Sequence, residues 1–228
     1  MTRRFYKRAT ANGVAVLLDT RALKTPKGHA FAAPTHALAQ AIAAEWEAQG
    51  EHIVVTSMPL TQLAFAAIDG GGDARTECIA YVLKFAETDL CCHRAGRPAE
   101  LVARQAALWD PLVAWGAQTL GAALPVVTGV IPAPAPPEAL SALRAHTEAL
   151  DDFRLTALAH AAGLTGSALI AFALVEGRLD AEAAFAAAVL DNLWSLERWG
   201  EDVAARAKLE RLKEELDAVA RFVRLLSG

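Results

Sequence analysis

The chain has 228 residues and a mass of 24.1 kDa, enough for one large domain or two small ones with a substantial core. Its net charge of −4 and pI near 5.9 argue against nucleic-acid binding, which requires clustered positive charge. No apolar run reaches the roughly 18 residues that cross a bilayer, and the basic start lacks the apolar core of a signal peptide. We therefore expect a soluble intracellular protein.

Residues 3–33 are predicted to form a small antiparallel sheet of short strands. The hairpin signal Ala11-Asn12-Gly13 separates the stretches 3–9 and 14–18. A second turn, at residues 25–28, has proline and glycine at positions that turns favour. Short strands of this kind cannot bury a core alone, so we expect a helix to cover the sheet.

That covering helix is predicted to start after a Thr35 cap. Its apolar residues Leu38, Ile42 and Trp46 recur at a spacing of four, which places them on one face. A further short strand is predicted at residues 52–55.

Residues 58–69 have the pattern of a buried helix, with apolar residues at i, i+3, i+4, i+7 and i+8. Thr56 or Ser57 is expected to cap its start, and the glycines that follow end it. Asp69 is unusual, because an acid in the last turn meets the negative end of the helix dipole. Asp69 either caps a local group or faces water, or it pairs with a basic residue.

From residue 73 the pattern is helical almost to the end. We expect Pro111 to interrupt a helix that starts near Pro98, because a proline inside a helix removes a hydrogen bond and clashes with the preceding turn. Residues 87–94 are interpreted as a polar-flanked connector, and residues 181–198 as a single helix.

These elements predict an α+β fold, in which a small antiparallel β-rich N-terminal part packs on a larger all-helical C-terminal part. The predicted domains are residues 1–56, β-rich with one covering helix, and residues 57–228, helical.

No motif of an enzyme or a cofactor site is present. The serine-hydrolase elbow, the nucleotide-binding lysine loop and the zinc-protease motif are all absent. Cys78, Cys91 and Cys92 form neither a disulfide framework nor a C-x-x-C pair. Cys91, Cys92 and His93 are metal-ligand types, but no second ligand cluster accompanies them. We therefore expect no metal and no cofactor.

A candidate binding site lies near the start of the last helix. Trp199 and Gly200 precede two acids, Glu201 and Asp202, and Glu197 lies just before them. Acids in a first helical turn are favoured by the dipole by roughly 0.3–1 kcal/mol. A tryptophan exposed beside charges is equally typical of an interface anchor. The residues alone leave both roles open.

An ordered series of short motifs resembles one known family, the assembly chaperones of the F-type ATP synthase that bind the unassembled α subunit of its catalytic sector. The motifs cover residues 4 to about 202, which is nearly the whole chain. In chain order they are Arg4-Phe5-Tyr6-Lys7, Leu18-Asp19-Thr20-Arg21, Leu23-Lys24-Thr25-Pro26, Ala44-Glu45-Trp46 with Gln49, Ser57-Met58-Pro59-Leu60-Thr61, Leu63-Ala64, Ala67-Ile68-Asp69, Thr88-Asp89-Leu90 with Cys92, Arg94-Ala95, Gln105, Trp109-Asp110-Pro111-Leu112, Trp115 and Trp199-Gly200.

The resemblance implies a non-enzymatic function. Such chaperones hold the free α subunit soluble until the β subunit replaces them in the ring. From the charge and the apolar run lengths we expect no nucleic-acid partner and no membrane insertion. In the family, acids after the tryptophan–glycine pair are tied to activity, and Glu201 and Asp202 match them. The chain starts directly on the first motif, which favours a bacterial cytoplasmic member over a mitochondrial matrix protein of a eukaryote.

Seven residues are predicted to bind the partner, from the motifs and from the tryptophan–acid pattern: Trp199, Glu201, Asp202, Glu197, Asp69, Asp89 and Arg94. As part of the most specific motif, Asp69 is expected to pair with an arginine or with backbone amides. Two alternatives stay open: a small hydrolase or transferase that uses the connector Cys91–Arg94, and a scaffold for a different client.

Overall fold

The computed structural model describes residues 2–70, 73–129, 131, 133–200 and 203–227. In these ranges the strands are short and the helices dominate. The strands are β1 Thr2–Arg3, β2 Ala9–Asn12, β3 Ala15–Leu18, β4 Arg21–Ala22, β5 His52–Ile53, β6 His93–Arg94 and β7 Val127–Thr128. The helices are α1 His36–Glu47, α2 Pro59–Asp69, α3 Asp73–Glu87, α4 Ala99–Thr119, α5 Pro137–Glu148, α6 Asp152–Thr165, α7 Ala168–Val175, α8 Ala181–Ala188, α9 Leu190–Trp199 and α10 Val203–Leu226.

The chain divides into two compact units. The first unit comprises residues 1–75, 151–157 and 221–228, and the second comprises residues 76–150 and 158–220. The small antiparallel sheets near the N-terminus and the helical C-terminal region confirm the predicted α+β class. The compact units group residues 57–75 with the sheets, and the domain boundary after residue 56 stays a sequence-based prediction.

In the first unit, an antiparallel sheet of order β2-β3-β4 packs against α1. Asn12 pairs with Ala15, so the hairpin turn consists of Gly13 and Val14, and Gly13 has a φ of 61° that suits glycine. The single strand predicted at residues 3–9 is wrong, because residues 4–8 lie outside the strands. Arg3 pairs with His52 of β5, and Ala9 begins β2. The predicted Thr35 cap of α1 is confirmed, since its hydroxyl accepts a hydrogen bond from the Leu38 amide.

The start of α2 is capped by a residue that the sequence did not suggest. The Glu45 carboxylate accepts hydrogen bonds from the amides of Leu60 and Thr61, each at 2.8 Å, and from the Thr61 hydroxyl at 2.6 Å. The predicted capping by Thr56 or Ser57 is wrong, because both lie in a 3-10 turn before the helix. Burial raises the pKa of the Glu45 carboxyl, although these hydrogen bonds oppose the shift.

In the second unit, α7 is the central helix, and all eight of its residues are buried. Helix α4 packs on both α7 and α9. Gly116 allows the close approach of α4 and α7, because a Cβ atom at this position would lie 2.5 Å from the Leu169 Cδ2 atom. Strands β6 and β7 form a short parallel pair.

Two predictions about helix continuity are wrong. Helix α4 continues through Pro111, since burial of Trp109 and Trp115 on either side of it keeps the helix packed on the core. The single helix predicted at residues 181–198 is divided at Val189. At this division the Trp109 indole N–H donates to the Ala187 carbonyl. That carbonyl is therefore bonded to a side chain of α4 at the point where the helical backbone hydrogen bonding is interrupted.

Candidate functional site

Helix α9 presents an exposed tryptophan at its C-terminal end. Trp199 is 81% exposed, whereas the other four tryptophans of the chain are buried. Gly200 ends the helix with a φ of 91°, a conformation that glycine adopts without steric cost. A large aromatic side chain held in solvent is typical of an interface anchor.

A cluster of charges around Trp194 fixes this end of α9 to α4. The guanidinium groups of Arg104 and Arg198 lie 4.8 and 4.6 Å from the centre of the Trp194 ring. Glu100 bonds to both arginines, and Glu197 accepts a hydrogen bond from Arg104 at 2.8 Å. That hydrogen bond raises the pKa of the Arg104 guanidinium. Trp199 therefore extends from an anchored helix.

The predicted binding residues at this end divide into two groups. Glu197 and Trp199 lie on the last two turns of α9, and about half of the Glu197 side chain is exposed. Glu201 and Asp202 lie outside the residues that the structure describes. Their assignment as partner-binding acids therefore stays a prediction.

Asp69 lies in the first unit, against the turn at residues 25–28. Its carboxylate accepts hydrogen bonds from the Thr25 hydroxyl at 2.6 Å and the Lys27 amide at 3.2 Å, and it contacts the His29 ring at 2.8 Å. The Lys27 ammonium donates to the Asp69 carbonyl at the C-terminal end of α2. The expected pairing with a backbone amide is confirmed, but Thr25 and His29 take the place of an arginine. Burial opposes ionisation of Asp69, yet the hydrogen bonds outweigh it and lower the pKa.

Asp89 lies in the second unit and is only 1% exposed. Its carboxylate accepts hydrogen bonds from the Ser167 hydroxyl at 2.7 Å and from the amides of Cys91 and Leu169 at 3.0 Å. It thus caps the 3-10 turn at residues 90–92 and also accepts a hydrogen bond from the first turn of α7, whose N-cap is Ser167. Burial raises its pKa, although the hydrogen bonds oppose the shift. This geometry gives Asp89 a structural role, and contact with a partner stays a prediction.

Arg94 is also held inside the second unit. Its Nε atom donates to the Cys91 carbonyl at 2.7 Å, and its guanidinium bonds to Asp110 at 2.8 Å. The guanidinium also lies over the Trp109 ring, 5.3 Å from its centre. The structure brings Asp89 and Arg94 together on either side of Cys91, where they stabilise the segment between α3 and α4.

Residues 87–94 link α3 to α4, as predicted for a polar-flanked connector, but the middle of the connector lies in the core. Cys91 and Cys92 are buried, because the hydrogen bonds of Asp89 and Arg94 hold the segment in the core. Burial raises the pKa of the Cys91 thiol well above its ordinary value and that of Cys92 to about 12. A thiol that is inaccessible and protonated at neutral pH does not act as a nucleophile.

Among the described residues, no group of three or more His, Cys, Asp or Glu side chains is arranged to hold a metal ion. Nor does any helix in the described part of the chain have the length and apolar character needed to cross a membrane.

Sequence reasoning missed Arg104 and Trp194, which fix α9, and Glu45, which caps α2. It also missed a groove of about 510 Å³ beside α9 and α10. The sequence signal available for the groove was the spacing of leucines along α10.

Comparison with known proteins places this chain among chaperones. The family described as ATP12 chaperone protein matches residues 3–117. The crystal structure of Atp12 from Paracoccus denitrificans is 40% identical in sequence, with a TM-score of 0.90, 99% of this chain covered and 98% of that one. The crystal structure of Atu1473 from Agrobacterium tumefaciens is 37% identical, with a TM-score of 0.88, 99% of this chain covered and 85% of that one.

A curated relative extends the match to a eukaryote. The protein named "Protein atp12, mitochondrial" from Schizosaccharomyces pombe is 27% identical over 235 residues, which cover 96% of this chain and 81% of the relative. The family match over half of the chain and the full-length likeness to Atp12 agree. This chain therefore belongs to the ATP12 chaperone family.

Proposed function

We propose that the chain is a non-enzymatic chaperone of F-type ATP synthase assembly. It binds the free α subunit of the catalytic sector and prevents its aggregation until the β subunit replaces it. Membership of the ATP12 chaperone family supports this proposal, together with the ordered motifs along the chain. An unassembled ring subunit exposes interface surface that promotes aggregation, and a chaperone must cover that surface reversibly.

The observation that carries the proposal is Trp199, an exposed aromatic side chain on an anchored helix. Glu197 precedes it and the predicted acids Glu201 and Asp202 follow it. An aromatic anchor supplies affinity by desolvation, whereas flanking charges mainly set encounter rate and register. This combination suits a partner that is bound and later released. Asp69, whose side chain is 12% exposed, is a second candidate contact.

We propose that the chain acts in the cytoplasm of a bacterium. The bacterial origin of two similar structures, from Paracoccus denitrificans and Agrobacterium tumefaciens, supports the bacterial setting. A eukaryotic member of the family would act in the mitochondrial matrix, and the S. pombe relative is named as mitochondrial. The hydrolase or transferase alternative finds no support in the geometry, because the thiols of Cys91 and Cys92 are buried and protonated.

Co-expression with the α subunit from the same organism tests the proposed partner. The tagged chaperone is expected to keep the α subunit soluble and to co-purify with it, and added β subunit is expected to release it. Recovery of a different protein from native extract, with no α subunit bound, would support the scaffold alternative instead.

Charge reversal tests the proposed acids. The double variant Glu201→Lys, Asp202→Lys is expected to weaken α-subunit binding roughly tenfold, since rim charges steer association. Binding is measured by surface plasmon resonance at two salt concentrations, and folding by circular dichroism. Glu77→Lys, Glu87→Lys is the control, because it makes the same change in net charge at exposed positions of α3. Equal binding by both double variants would remove Glu201 and Asp202 from the site.

A further inference from the structure

A groove of about 510 Å³ lies beside α8, α9 and the first half of α10, entirely within the second unit. Its apolar lining consists of Phe185, Leu193, Leu196 and Leu209. Volumes of a few hundred Å³ are typical of sites that bind a ligand or a partner's side chains. The groove is therefore large enough for several apolar side chains.

The groove coincides with a change in how α10 is packed. In the second half of the helix Leu216 and Val219 are fully buried, whereas Leu209 and Leu212 in the first half are only partly buried. A second cavity of about 340 Å³ shares Leu196 and Leu209 with the groove. Within the described residues, the apolar stripe of α10 is thus incompletely covered in its first half.

The charges at the edge of the groove are paired within the chain. Arg206 and Glu210 form an i, i+4 pair at 3.7 Å, and Lys213 bonds to Glu182 of α8 at 3.7 Å. Glu197 bonds to Arg104, as described above. An apolar lining bordered by charges of both signs does not favour a small charged ligand. It complements an amphipathic segment with an apolar ridge and mixed charges at its sides.

The spacing of the lining residues indicates which conformation that segment has. Along α10 they recur at i, i+3, i+4 and i+7 from Arg206 to Lys213, and along α9 at i, i+3 and i+4 from Leu193 to Glu197. Two helical walls of this kind accept the ridge of a third helix. Two further exposed apolar side chains lie on the same two helices, Trp199 at the end of α9 and Val203 at the start of α10, 81% and 85% exposed.

We propose that this groove receives the apolar face of an amphipathic helix of the client. The inference rests on the proposed function, with the α subunit as the client. The proposed function names the acids near Trp199 as client contacts, and this inference adds an apolar binding site on α9 and α10.

The test replaces Leu193, which is 38% exposed, with glutamate. Leu193→Glu is expected to weaken α-subunit binding roughly tenfold or more. The introduced carboxylate would lose its water when the apolar ridge of the client helix docks against it. Leu108→Glu is the matched control, since Leu108 is 41% exposed on α4 and is not among the groove residues. Wild-type affinity in Leu193→Glu, with α-subunit binding by the wild type intact, would overturn this inference alone. Failure of the wild type to bind the α subunit would overturn the proposed function as well.

A second measurement does not depend on the stability of Leu193→Glu. A photo-crosslinking phenylalanine derivative is introduced at Leu193 or at Leu108, and the purified complex with the α subunit is irradiated. Crosslinks from position 193 to an amphipathic helix of the α subunit, and none from position 108, are the expected result. Equal crosslinking from both positions, or crosslinks from 193 only to non-helical segments, would overturn the inference.

Discussion

Replacing Asp89 with alanine is expected to lower the free energy of unfolding by roughly 3–5 kcal/mol. The substitution leaves the Ser167 hydroxyl and the amides of Cys91 and Leu169 buried without their acceptor. The loss affects two elements at once, since Asp89 caps the turn at residues 90–92 and bonds to the Ser167 hydroxyl and the Leu169 amide at the start of α7. Urea denaturation followed by circular dichroism measures the change.

Asp180→Ala is the matched control for this prediction. The Asp180 carboxylate caps α8 through the Ala183 amide, but it is exposed to solvent. We expect a loss of about 1 kcal/mol, as is usual for a solvated helix cap. Similar small losses in both variants would show that the buried hydrogen bonds of Asp89 contribute little.

The effect of Asp89→Ala is also expected to depend on pH. Because the folded-state pKa of Asp89 is raised, its contribution to stability is fully present below the ordinary value of 3.8 and falls as the pH rises through the folded pKa. The difference in unfolding free energy between wild type and variant should therefore increase as the pH is lowered from neutrality.

Replacing Trp109 with alanine is expected to cost roughly 3–5 kcal/mol of stability. The side chain is fully buried, its indole N–H donates to the Ala187 carbonyl at 2.8 Å, and the Arg94 guanidinium lies over its ring. The substitution removes a large packed volume and leaves the Ala187 carbonyl without that donor. Trp109→Phe retains most of the volume and is expected to lose about 1–2 kcal/mol, chiefly from the hydrogen bond.

Trp199→Ala is the control, because it removes the same side chain from an exposed position. The comparison shows how much of the stability loss in Trp109→Ala is due to burial. We expect a change of less than about 0.5 kcal/mol in unfolding free energy. Thermal and urea denaturation of Trp109→Ala, Trp109→Phe and Trp199→Ala should give three clearly different stabilities. A Trp109→Ala protein as stable as Trp199→Ala would contradict the packing described for α4.

Local patterns were sufficient to predict most of the fold. The cap at Thr35 and the turns at Gly13 and 25–28 depend on neighbouring residues, and the structure has them close to the predicted positions. The predicted break at Pro111 is wrong, because the packing of α4 on the core outweighs the cost of a proline inside the helix. A local sequence pattern carries no information about that packing. The division of α8 from α9 has a similar cause, since it involves an indole from α4.

The candidate site was only partly predictable for the same reason. Trp199 followed from its place before a glycine and acids, all close in the sequence. The cluster that anchors it joins Arg104 to Glu197, which are 93 positions apart. The Glu45 cap of α2 and the hydrogen bond that Ser167 donates to Asp89 are also long-range contacts. Groups of this kind become visible only when the helices are placed in space.

The exposure of Trp199 has a spectroscopic consequence. Of the five indoles in the chain, four are shielded by protein atoms, so collisional quenchers such as acrylamide reach chiefly the fluorescence of Trp199. The quenchable part of the emission is thus a built-in reporter located at the proposed interface. Because a bound client would shield this indole, docking can be followed through the loss of quenching in the unmodified chaperone, with Trp199→Phe as the reference that lacks the signal.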